Sequence, residues 1–222
     1  MSAALDCANA EGAIPSDDVL MAMASKAERG REPQRMLHSY RISRRGGYEV
    51  GMSLFNASVP QLSKMLKALD SWLEKGAAHA KAAKFEPGVL LESRLYPNQY
   101  PLVRQVQSAC DTAKFAAARI TNQDPPKHPD TETTMEQLHE RIQSVIAYLG
   151  KFTAQDFEGA DQRVVPLSFM EGKGLNAGDY LNEMVLPNFY FHLAHAYAIL
   201  RHNGVELGKQ DFLASLNIRD LA

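Results

Sequence analysis

The chain has 222 residues, 45% of them hydrophobic and 23% charged, with a formal net charge of −2. That balance gives no basic footprint, so no nucleic-acid partner is expected. No run approaches the ~18 apolar residues of a transmembrane helix, so no membrane partner is expected either. Two cysteines, Cys7 and Cys110, make no disulfide framework, and a reducing cytoplasm is the expected compartment.

Residues 1–51 contain only seven Val, Ile, Leu, Phe or Trp residues, and their seven acidic and seven basic side chains cancel. So little apolar surface does not offset the entropy of ordering the chain. There is no apolar core for a signal peptide, and the acids argue against a transit peptide. The segment reads as a disordered extension, or as a start placed too far upstream, with Met52 as the alternative first residue.

Residues 52–222 read as one helical domain. The first helix begins after Asn56 or Ser58 with Pro60 in its first turn, and Val59, Leu62, Leu66, Leu69 and Leu73 form its apolar stripe. Lys64, Lys67, Asp70 and Glu74 are polar. Gly76 ends or kinks it, and a short Ala/Lys-rich piece runs on to about Lys84. Pro97 and Pro101 exclude a regular helix between them. Pro101 instead opens the second helix, whose apolar positions are mostly small: Leu102, Val106, Ala109, Cys110, Ala113, Ala116, Ala117 and Ile120. Cys110 on that face reads as a packed thiol.

Three prolines between Asn122 and Pro129 mark a loop. Thr133 and Glu136 have capping-box spacing and start a third helix with the stripe Met135, Leu138, Ile142, Val145, Ile146 and Leu149, stopped at Gly150. Residues 163–177 read as a small β-hairpin in which Pro166 restricts its strand to an edge. Asp179 is the candidate N-cap of the last helix, which carries Pro187 and stops at Asn203-Gly204. A final turn packs around Phe212 and Leu216. The fold class is therefore all-α, a four-helix bundle. The connections before the second helix and after the third are long, which allows parallel neighbours.

The last helix carries the residues worth weighing. His195 lies about 60° and His202 about 80° around the helix from His192, so all three share one side. His192 and His195 are one turn apart and are the only two close enough to share a metal. His79 lies in the Ala/Lys segment and His139 among polar residues of the third helix, and they add little. Asn188 precedes His192 by one turn and projects on the same face, and Gln105 or Gln107 of the second helix are its candidate partners. Arg94 and Arg201 are candidate anion contacts, read first as solvated charges. Phe189, Tyr190, Phe191 and Tyr197 have core spacing.

The run LPNFYFHLAHAYAILRHNGVELGK, spanning Leu186–Lys209, and the opening Val59-Pro60-Gln61-Leu62 with Leu66 and Leu69 resemble an uncharacterised, mainly bacterial domain-of-unknown-function family. That family is similar to the DinB/YfiT-like metalloenzyme superfamily. The resemblance implies a four-helix bundle with a long crossover, often homodimeric. It also implies a divalent metal such as Zn or Ni held by three histidines, one from the second helix and two from a His-x-x-x-His motif in the fourth. Some members resemble low-molecular-weight-thiol transferases. Aligning Leu200, Arg201 and Gly204 with the family's motif places His192 at the second histidine and Asn188 at the first. Gln105 falls near the helix-2 ligand. Two of three ligand positions then carry amides, which are poor ligands for such ions. The expectation is a bundle without the three-histidine metal, binding a small molecule at Gln105, Asn188, His192 and His195 or serving as a dimeric structural protein. The alternative is a metal-dependent transferase or hydrolase using His192 or His195, with His192 the remaining metal ligand.

Overall fold

Ser53 starts the first helix: its Oγ accepts from the Asn56 N–H at 3.2 Å, and α1 then runs Leu54–Ala83 in the computed structural model, which describes residues 53–221. The extension read over residues 1–51, and the start at Met52, lie outside the described residues. The predicted stripe Val59, Leu62, Leu66, Leu69 and Leu73 is buried, each large side chain contributing about 1.5–3 kcal/mol. Gly76 does not end α1. It sits buried where a neighbouring helix comes close: a Cβ there would meet Leu200 Cδ2 at 3.2 Å. The helix ends instead at Lys84, in the left-handed conformation with φ 61°.

A single turn, Gly88–Leu91, buries Leu90 and Leu91 before α2 (Leu102–Thr121) begins behind Pro101. All eight expected apolar positions of α2 are buried. The third helix, α3 (Met135–Leu149), is capped one residue later than expected. Thr134 Oγ1 accepts from the Gln137 N–H at 3.2 Å, and Gln137 Oε1 accepts from the Thr133 and Thr134 N–H groups.

The hairpin is present. Val164–Pro166 pairs antiparallel with Gly174–Asn176, Val165 opposite Leu175. From Ala177 the chain is helical to His202: a turn at Ala177–Asp179, a π-helical stretch at Tyr180–Val185, then α4 (Leu186–His202). Asp179 lies inside this run, and Asn176 occupies the cap position. The wider turns immediately precede Pro187, whose missing N–H an ordinary ladder would need. The closing turn, Lys209–Leu213, packs Phe212 on Trp72 with ring centroids 5.3 Å apart, whereas Leu216 is exposed.

α2 lies against α3 and α4, and α1 against the same two and also, across the bundle, against α2; α3 and α4 stand apart, so the helices follow one another as α1, α3, α2, α4. Side-chain pairs give the directions. Asp70 meets His139, and Gly76 lies near Met135, so α1 and α3 are antiparallel. Thr112 meets Asn188, and Gln105 meets His192, so α2 and α4 are antiparallel too. Gln61 meets Tyr190 and Gly76 meets Leu200, which makes α1 and α4 parallel. It follows that α2 and α3 are parallel. The crossover that joins parallel neighbours is therefore the three-proline segment 122–134, not either of the two connections the sequence pointed to.

That strap returns along the α2–α3 groove. The Tyr148 hydroxyl donates to the Asp124 carbonyl at 3.2 Å. His128 accepts from Lys114 at its Nδ1 (3.0 Å) and lies 3.2 Å from Ser144 Oγ through Nε2. Asp130 pairs with Arg104 and Arg141, and Glu132 with Gln107 and Arg141.

Candidate functional site

Gln105, Ser108 and Thr112 stand at i, i+3 and i+7 on α2, and therefore on one face. Asn188, His192 and His195 stand at i, i+4 and i+7 on α4, likewise on one face. The antiparallel packing brings the two faces together. His192 is 6% exposed, and its Nδ1 lies 2.8 Å from Gln105 Oε1. The Gln105 amide nitrogen donates to the Tyr100 carbonyl at 3.1 Å, which leaves Oε1 to accept. His192 is thus the Nδ1–H tautomer, and its Nε2 carries the lone pair. Among the described residues nothing hydrogen-bonds that nitrogen. Burial, with His195 and Arg104 nearby, pushes the imidazole down to about 4, so it is neutral at pH 7.

The other expected members diverge. Asn188 turns to Thr112 Oγ1 (2.8 Å), away from the histidine. His195 is half-exposed and donates from Nδ1 to the Phe191 carbonyl of its own helix at 2.7 Å. Gln107 faces the strap, where it donates to Glu132. Arg201 is exposed, and Arg94 reaches only Glu92. Phe189 is core as expected, but Phe191 is 53% exposed beside the two histidines. Ser108 Oγ, fully buried on the α2 face, has no partner among the described residues. Cys110 is fully buried, and burial pushes its thiol up to about 12, so it is the packed thiol expected.

A second constellation was missed. On the α1–α3 seam Asp70 Oδ1 lies 2.8 Å from His139 Nδ1, and Asp70 Oδ2 accepts from Gln143 at 2.7 Å. Ligand-type atoms of Asp70, Glu74 and His139 all fall within 4.8 Å of one another. They border an open cleft of about 300 Å³. The one signal in the sequence was the helical phase of Asp70. It stands four residues after Leu66 and three before Leu73, on the edge of the apolar stripe.

The chain matches the family described as a domain of unknown function, DUF1993, over residues 54–213. It belongs to DUF1993. Among solved structures, this DUF1993 chain is similar to a DinB family member protein from Shewanella denitrificans at 45% identity. The match has a TM-score of 0.74 and covers 76% of this chain and 96% of that one. Both findings agree with the DinB-like helical fold read from the last helix. No curated protein matches the chain.

The DinB-like fold implies a divalent metal on three imidazoles at the α2–α4 seam, and the donors present in this DUF1993 protein do not fit it. One imidazole, His192, meets one carboxamide, Gln105, and the second carboxamide, Asn188, is bonded to Thr112. His192 keeps Nε2 for an ion, but Gln105 spends its oxygen on His192, and Asn188 donates its amide to that threonine. Neutral amide oxygens compensate a divalent charge poorly beside nitrogen ligands.

Proposed function

We propose that this DUF1993 protein is a DinB-like bundle that binds a small polar molecule at Gln105, Asn188, His192 and His195, in place of a three-histidine metal. The observation that supports it is the 2.8 Å His192–Gln105 hydrogen bond. It holds the ring in one tautomer and presents Nε2 as an acceptor. A ligand with a hydroxyl, amide or thiol donor satisfies that nitrogen, and the exposed Phe191 ring beside it offers apolar contact.

The alternative, a transferase or hydrolase using His192 as general base, asks for a basicity near the working pH. A histidine pushed down to about 4 accepts a hydrogen bond well but takes up a proton weakly. A basicity lowered by burial therefore favours the binding reading. Imidazole nitrogen shifts of the purified protein test it. His192 should read as the Nδ1–H tautomer at pH 7, with Nε2 shifting on addition of hydroxyl- or amide-bearing fragments. Stoichiometric zinc or nickel that is lost in His192→Ala would defeat it.

A further inference from the structure

We propose that the α1–α3 seam is a binding site for a divalent transition-metal ion, with Asp70, Glu74 and His139 as its protein ligands. It lies across the bundle from His192 and does not depend on the reading of that site. Three observations carry it.

The first is the donor set. Two carboxylates one turn apart on α1 face an imidazole from α3, with ligand atoms within 4.8 Å of one another. The 2.8 Å between His139 Nδ1 and Asp70 Oδ1 is close to the ~3.0 Å that separates adjacent ligands at right angles when both bonds are about 2.1 Å. A cation takes the place of the hydrogen in that contact. His139 enters as neutral imidazole with its proton on Nε2 and its Nδ1 lone pair on the ion, and Asp70 stays a carboxylate. The Glu74 side chain, exposed at the rim, closes on the ion by rotation.

The second is a buried carboxylate whose bonded partners, His139 and Gln143, include no lysine or arginine. Asp70 is 7% exposed and has no lysine or arginine partner among the described residues. Every other carboxylate with a bonded partner across the bundle has one: Asp111, Asp130 and Glu132 on Arg141, and Asp211 on Lys75. Buried carboxylates are ordinarily paired with a cation or coordinate a metal. Gln143 holds the second Asp70 oxygen at 2.7 Å, the outer-shell support that orients a ligating carboxylate.

The third is the wall of the cleft. Glu136 and Glu140 add two more carboxylates, and no lysine or arginine lines it. Asp70–Glu74 and Glu136–Glu140 are both like-charge pairs at i, i+4, unfavourable on a helix unless a cation sits between them. Leu73, Ala77 and Met135 make the remaining lining apolar, which strengthens the attraction. An imidazole among carboxylates selects manganese-, iron- or zinc-like ions over magnesium or calcium.

The test uses the full chain, stripped of metal, titrated with Mn²⁺ alone and followed by loss of the free-ion paramagnetic signal. About one equivalent should bind per chain, and His139→Gln or Glu74→Gln should weaken binding roughly tenfold or more. Glu74 lies at the exposed rim, so that variant keeps the fold even where Asp70→Asn does not. His192→Ala should leave Mn²⁺ binding unchanged. Saturating Mg²⁺ should fail to displace the ion. No binding up to about millimolar Mn²⁺, binding that survives both His139→Gln and Glu74→Gln, or equal affinity for Mg²⁺ overturns the assignment.

Discussion

Arg141 concentrates more charge than any other buried side chain described here. Its guanidinium, 1% exposed, touches Asp111, Asp130 and Glu132 from α2 and the strap. Burial pushes Asp130 and Glu132 up, but Arg141 outweighs it and holds both below the usual carboxylate range. The stability they contribute is present above their ordinary values near pH 4 and disappears as pH falls below them. Replacing Arg141 by Met leaves Glu132 without a cation, and Asp130 and Asp111 with only Arg104 and Lys114. We expect a loss of about 3–5 kcal/mol, read by urea unfolding at pH 7. His192 acts in the opposite region of the scale. An unfolded histidine protonates near 6.5 and the folded one only at about 4, so the unfolded state binds the extra proton between those values. Stability should therefore fall by about 3 kcal/mol as pH drops through that window, and His192→Leu should flatten the slope. Helical phase put His192, His195 and His202 on one side, but it did not tell which of them is buried, and only His192 is. Its bond to Gln105 was approached only through resemblance to a family motif. The Asp70–His139 contact was not legible, because it depends on the register between α1 and α3, which neither helix encodes by itself.

At the scale of elements, the apolar stripes named the long helices correctly, and their ends were harder to place. Thr133 with Glu136 and Thr134 with Gln137 both have capping-box spacing. The structure uses the second, which puts Met135 at the first buried position. Gly76 shows a deeper ambiguity. A glycine that stops a helix and a glycine that admits a neighbour look the same in one dimension. Here three side chains, Leu200, Leu90 and Met135, lie within 4 Å of where a Cβ would stand. Gly76→Ala should be nearly neutral, since a helix-propensity gain of about 1 kcal/mol meets a small shift of the flexible Leu200. Gly76→Val should cost about 1–3 kcal/mol in chemical denaturation, because its extra methyls have no room. The π-helical turns before Pro187 left no mark on the sequence beyond the proline itself.

For the molecule as a whole, the deciding element is the strap. About a dozen extended residues reach ~40 Å, enough to run back along a 20-residue helix of ~30 Å, and this lets α2 and α3 lie parallel. The prolines showed that the segment is irregular; they did not show that its acids would dock on Arg104 and Arg141. The strap also fixes the order of helices around the bundle, with the α1–α3 and α2–α4 seams on opposite sides. Two polar centres separated by a full layer of leucines and alanines share no side chain through which one could feel the other. Damage to each should then be thermodynamically independent: the unfolding free energy lost by a His139→Gln/His192→Leu double variant should equal the sum of the separate losses to within about 0.5 kcal/mol. Evolution, by the same reasoning, was at liberty to rewrite either seam while the other stayed as it was.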